Sequence, residues 1–158
     1  MKFQILTPFP EAIRPYLESS MLWKAQKDKK ISVKVINPRD YSLDKHKKVD
    51  GRPYGGGPGM VLAALPILRA IGKVPLKTKM VITSPRGKLF TNKLASDWAK
   101  KYQNIILIAG HYEGMDARVK KILKAEEISV GPYTLTGGEL PSLIIVDALT
   151  RRIPGVLG

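Results

Sequence analysis

The sequence has 158 residues, with 27 Lys and Arg against 13 Asp and Glu for a formal charge of +14. That length fits one domain with a sizeable core, and 44% apolar residues is too many for a disordered chain. The absence of cysteine excludes disulfides, cysteine–zinc and iron–sulfur sites and thiol nucleophiles.

Lys2 to Thr7 reads as a strand that Pro8-Phe9-Pro10 stops. From Glu11 to Gln26, Ile13, Leu17, Met21, Leu22 and Ala25 recur at helical spacing. Ile31 to Ile36 is a second strand, ended by Asn37-Pro38, and a long loop runs from Arg39 to Gly59. An apolar helix is expected over 60–71, a strand over 79–83, a helix over 92–102 and a strictly apolar strand over 104–109. Residues 116–124 read as a short helix, 127–130 as the last strand and 139–152 as the closing helix.

Strands alternating with helices predict an α/β fold, a parallel sheet with helices on both faces. Ile105-Ile106-Leu107-Ile108 lacks polar alternation, as a central strand covered on both sides requires. No repeat or low-complexity linker divides the chain, so one domain is expected.

Charge is uneven: residues 1–79 carry 16 basic and 6 acidic side chains, net +10, against 11 and 7, net +4, in 80–158. Such a balance favours a polyanionic partner, because clustered cations bind phosphate by counterion release. Lys24-Lys27-Lys29-Lys30 and Arg118-Lys120-Lys121-Lys124 fall at helix C-termini, where cations complement the dipole. Lys45-His46-Lys47-Lys48 lies in a loop and is the better candidate for phosphate contact. The first ten residues do not read as a signal peptide, since Pro8 and Pro10 interrupt the apolar run. No run approaches a membrane span, and the cytoplasm is the expected compartment.

Ligands of parallel sheets bind at the carboxyl ends of the strands. Three glycine-bearing loops stand there: Ser84-Pro85-Arg86-Gly87, Gly110-His111-Tyr112-Glu113-Gly114, and Gly131 through Gly138 to Glu139. No Gly-x-Gly-x-x-Gly opens a helix after the first strand. The glycines of Tyr54-Gly55-Gly56-Gly57-Pro58-Gly59-Met60 lack the Gly-Lys-Ser/Thr of a Walker loop, and no Gly-x-Ser-x-Gly elbow occurs. With His46 and His111 the only imidazoles, no metal ligand is assigned. Catalysis is left to carboxylates, arginine, backbone amides or a cofactor.

Ile5-Leu6-Thr7-x-Phe9-Pro10, Asp44-Lys45-His46, Pro53 to Met60, Ser84-Pro85-x-Gly87 and Gly110-His111-Tyr112-Glu113-Gly114-x-Asp116 form one ordered set. Glu127 to Leu140 and Ile153-Pro154-Gly155-Val156-Leu157-Gly158 complete it. In this order, from end to end, the segments resemble the bacterial tRNA (guanine-N1)-methyltransferase family acting on position 37, within the SPOUT class of S-adenosylmethionine-dependent enzymes. Ala117 and Pro132 depart from residues common in that family, Glu and Asp. The resemblance implies a C-terminal deep trefoil knot, an obligate homodimer with active sites at its interface, and tRNA as partner. It also implies that residues 1–158 are the SPOUT domain alone, the family's aspartate-bearing linker and C-terminal tRNA-binding domain being absent.

Carried over by matching position, the cofactor pocket comprises Ser84, Pro85, Gly110, Tyr112, Glu113, Val130, Gly131, Tyr133, Leu135, Gly137, Gly138 and Pro141. Arg151 matches the catalytic arginine, and Glu113 is expected to hold the guanine edge or to help place the Mg²⁺ that the family uses. Lys45, His46, Tyr54, Gly56 and Gly59 are expected on the RNA side. Methylating guanine N1 removes its proton while charge develops toward O6, so a carboxylate base and an arginine donor suit the reaction. The alternative is a non-catalytic knotted dimer that binds cofactor or RNA without methyl transfer.

Overall fold

The computed structural model describes residues 1–52, 59–111 and 114–157. Four expected site residues, Tyr54, Gly56, Tyr112 and Glu113, lie outside the described residues. The apolar strand β6 (Asn104–Ile108) takes the middle of a five-stranded sheet. β1 (Lys2–Leu6) pairs on one side of it and β5 (Thr78–Leu89) on the other. β2 (Ser32–Ile36) and β7 (Glu126–Ser129) close the two edges, giving the order β2-β1-β6-β5-β7, and every pairing is parallel.

Alternation along β6 feeds two cores. Ile105 and Leu107 join α1 (Arg14–Leu17), α2 (Ser20–Lys27), α4 (Asn92–Lys101) and α6 (Glu139–Thr150) on one face. Ile106 and Ile108 join α3 (Ala64–Ile71) and α5 (Ala117–Leu123) on the other. Each of these four side chains is at most 1% exposed, and each such burial contributes about 1.5–3 kcal/mol. The parallel sheet with helices on both faces is therefore as expected.

Several elements differ from their sequence reading. The expected helix over 11–26 is a 3-10 turn at Pro10–Ala12 followed by two helices. Ser19 is extended and its hydroxyl bonds back to the Tyr16 carbonyl at 3.0 Å, while Ser20 takes φ 49°. Serine competes with the helix ladder in this way. The loop over 39–59 contains the end of a 3-10 turn, Pro38–Tyr41, and β3 (Asp50–Gly51), which pairs antiparallel with β4 (Val61–Leu62). The helix expected from residue 60 thus begins at Ala64. Leu62 is held extended because its N–H donates to Gly114 O and its carbonyl accepts from Asp116 N, both at 3.0 Å.

The strand expected over 79–83 extends to Leu89 through a wide bulge. Thr83 and Lys88 both stand opposite Ile128, so Ser84–Gly87 loop out of the ladder. A Cβ on Gly87 would collide with the Glu127–Ile128 backbone. Only glycine lets the chain return there. No helix among the described residues is long and apolar enough to cross a membrane.

Candidate functional site

The carboxyl ends of β5, β6 and β7 open into a cavity of about 580 Å³. That volume falls within the roughly 300–1,000 Å³ of small-molecule sites. The β5 bulge supplies Ser84 and Pro85, the turn after β6 supplies Gly110, and the segment after β7 supplies Val130, Tyr133, Leu135, Gly137 and Gly138. Pro141, in the first turn of α6, completes the set. Nine of the ten described residues assigned to the pocket by resemblance thus share one cavity. The tenth, Gly131, is buried behind it, and a Cβ there would collide with the Tyr133 ring. Gly131 therefore makes room for a wall residue instead of being one.

Backbone contacts bind these segments to each other. Gly110 N donates to Thr83 Oγ1 at 3.0 Å, and Gly138 N donates to Gly110 O at 2.6 Å. A side chain on Gly138 would collide with Thr83 Oγ1, Gly110 N and Ala109 Cα. Ser129 Oγ donates to Gly131 O at 2.8 Å, and the Tyr133 hydroxyl donates to Val130 O at 3.3 Å. The result is a preformed, largely neutral cradle.

Charge sits on the walls contributed by Arg86, Asp116, Lys120 and Glu127. Arg118 grips both oxygens of Asp116, with Nη2 to Oδ2 at 2.6 Å. These hydrogen bonds hold the Asp116 carboxyl below its ordinary range, against the opposing effect of desolvation. Lys120 and Glu127 pair at 2.6 Å. Asp116 and Glu127 therefore have cationic partners and are poor candidates for a free base. Among the described residues, no group of three or more His, Asp or Glu is arranged to hold a metal ion.

Two further features separate from this cavity. Arg151 lines a second one, of about 300 Å³, together with Tyr16, Ser19, Met21, Asp147 and Leu157. The Tyr16 hydroxyl donates to Asp147 Oδ2 at 2.9 Å, which raises the phenol's pKa. Pro141 and Arg151 stand near opposite ends of α6, about 15 Å apart along its axis. One copy of the chain thus does not bring Arg151 to the glycine cradle. Lys45 and His46 lie on an exposed turn whose Asp44 carboxylate accepts from His46 N at 2.9 Å and Lys48 N at 3.2 Å. These backbone donors lower the Asp44 pKa. Gly59 is exposed at φ 88°.

The sequence reading assigned no role to Glu139. Its carboxylate accepts the Thr7 hydroxyl at 2.6 Å and faces His111 Nδ1 at 3.5 Å. An acidic residue opening an apolar helix behind two glycines was the available signal. Read locally it only complements the helix dipole.

All of residues 1–158 match the family model described as tRNA (Guanine-1)-methyltransferase TrmD. Three relatives, each named tRNA (guanine-N(1)-)-methyltransferase, show the same. The protein of Ruminiclostridium cellulolyticum is 45% identical over 99% of this chain and 69% of its own length. That of Lactobacillus acidophilus is 48% identical over 100% and 64%, and that of Dictyoglomus turgidum 46% over 100% and 64%. The chain spans about two thirds of the length of these relatives.

Proposed function

The chain belongs to the tRNA (guanine-1)-methyltransferase family, and from that membership we propose that it is the cofactor-binding domain of an enzyme methylating N1 of guanine 37 in tRNA. The methyl donor is S-adenosylmethionine, whose sulfonium supplies an activated methyl group. The convergence of nine pocket residues on one glycine-lined cradle carries this reading. The cradle fits such a group: its volume suits a nucleoside-sized ligand, and Gly110 and Gly138 leave backbone where side chains would intrude.

This chain's residues orient the donor and hold charge. The β5 bulge and the 130–138 segment would hold the donor and exclude water from it. Arg151 faces guanine O6 and stabilises the charge that grows there as N1 loses its proton. The proton goes to a carboxylate, which the family carries after the position matching Gly158. Glu113, the residue expected to help place Mg²⁺, lies outside the described residues.

Arg151 must come from a second copy to meet the donor. The separation of about 15 Å along α6 supports a homodimer whose sites each combine one protomer's cradle with the partner's arginine. Exposed Tyr16, Met21 and Leu157 around the second cavity give that contact apolar surface. The close passage of Gly138 between Thr83 and Gly110 is compatible with the family's trefoil knot. The Lys45–Lys48 turn adds phosphate contacts for the tRNA in the cytoplasm.

The test is transfer of labelled methyl from S-adenosylmethionine to tRNA carrying guanine or adenine at position 37. Incorporation at guanine only, by this chain joined to the family's C-terminal third, is expected. Binding of cofactor and tRNA without incorporation in that longer protein would establish the non-catalytic reading.

A further inference from the structure

Glu139 is the first residue of α6, immediately after Gly137 and Gly138. Its side chain is 12% exposed and is not part of the cavity wall. Oε1 accepts the Thr7 hydroxyl at 2.6 Å, and Oε2 stands 3.5 Å from His111 Nδ1. Thr7 is fully buried, and its hydroxyl in turn accepts from Phe9 N at 2.9 Å. The Phe9 ring packs on the His111 ring with centroids 4.6 Å apart. The carboxylate therefore hydrogen-bonds the end of β1 to the start of α6 and stands against the turn after β6.

Gly137 is shaped by this cluster, because a Cβ on it would collide with both Glu139 Oε2 and His111 Nδ1. His111 follows Gly110 and lines the cavity, as Gly137 and Gly138 do. The cluster thus sits directly beneath two of the three loops that form the cradle. A carboxylate this enclosed is retained at a desolvation cost, and no step of the methyl transfer uses it.

We propose that Glu139, with Thr7, is a positioning residue that locks the Gly110–His111 turn against Gly137–Gly138, so that the cradle is formed before the cofactor arrives. The inference rests on the reading of this cavity as the methyl-donor site. Locking two loops in advance removes their ordering cost from the binding step. Removing the lock should weaken cofactor binding without removing any contact to the cofactor.

The experiment measures S-adenosylmethionine affinity by calorimetry, thermal unfolding without ligand, and deuterium exchange at the Gly110 and Gly138 amides. Glu139→Ala is expected to raise Kd about tenfold and to accelerate exchange at both amides, with the unfolding midpoint moving by only a few degrees. Glu139→Gln keeps an oxygen for Thr7 and should recover a large part of that loss. Thr7→Val should weaken binding alone, yet cost little more in the Glu139→Ala background, because the two residues act as a unit. Folded variants that bind as tightly as the unsubstituted chain overturn the inference alone. Additive losses, or variants that fail to fold, overturn it too by making the cluster a general stabiliser. Absence of binding by the unsubstituted chain overturns the cavity reading itself, and this inference with it.

Discussion

The glycine cradle and the Asp44–Lys48 turn, the two surfaces proposed to take ligands, are built in opposite ways. In and around the cradle, Gly87, Gly110 and Gly138 leave no room for even one carbon: Gly87 is pressed against the backbone of β7, Gly110 against that of β5, and Gly138 against the turn after β6. In the turn, every residue from Asp44 to Lys48 is exposed, and its organising hydrogen bonds span at most six residues. On the proposed reading, the first would recognise by shape and backbone position, the second by field. Shape fails abruptly when disturbed, whereas an exposed field weakens in small, salt-dependent steps.

The sharpest way to break that contrast is Gly138→Ala. The new methyl would meet Gly110 and Thr83, so cofactor affinity should fall at least about a hundredfold, equivalent to roughly 2.8 kcal/mol. Calorimetry at low and high salt should give the same loss, and a salt-dependent loss would erase the distinction. Arg151→Ala comes next. Methyl transfer should drop about 10²–10³-fold, the effect of removing one oxyanion donor, while cofactor affinity stays within about twofold. A parallel loss of cofactor binding would mean that Arg151 reaches the cradle of its own protomer.

Lys45→Ala and Lys48→Ala should each weaken tRNA binding severalfold and reduce its salt slope by about 1, with cofactor affinity unchanged. Filter binding across a salt series reads both quantities. Asp116 gives the smallest effect. Its folded pKa is depressed by Arg118, so its contribution is present above the unfolded value of about 3.9 and is lost as pH falls through the folded value. Asp116→Ala, which also removes the cap on Arg118 N, should cost about 1 kcal/mol at pH 7. In denaturant melts the gap should close under strong acid.

What the sequence made legible was whatever its neighbours in the chain decide. Ile105–Ile108 announced a strand covered on both faces because unbroken apolar character at that length has few other uses. Lys45–Lys48 read as a loop cluster because no helix was there to account for it. The break at Ser19-Ser20 stayed hidden, since the apolar spacing continued through it while side-chain hydrogen bonding ended the helix. Val61–Leu62 pairs with Asp50–Gly51 and with the chain at Gly114 to Asp116, partners that a local window does not contain.

Site residues divide in the same manner. The glycine loops were found as a group because strand ends are readable and ordered motifs reinforced them. Glu139 was overlooked because its partner Thr7 is 132 residues away. The separation of Arg151 from the cradle was equally invisible, because it follows from the length and direction of α6 and not from any motif.

The strand order also imposes a timetable on the newborn chain. β1 lies between β2 and β6, so one of its edges has no partner until Asn104–Ile108 leaves the ribosome. At about 5–20 residues per second, the stretch from Ile36 to Asn104 takes roughly 3–14 s to make. During that interval an apolar strand edge stands open, and the first half of the protein depends on restraint from its surroundings. The ligand cradle waits longer still, because its last wall arrives with Pro141. No cofactor can recruit the early strands into place before that last wall is made.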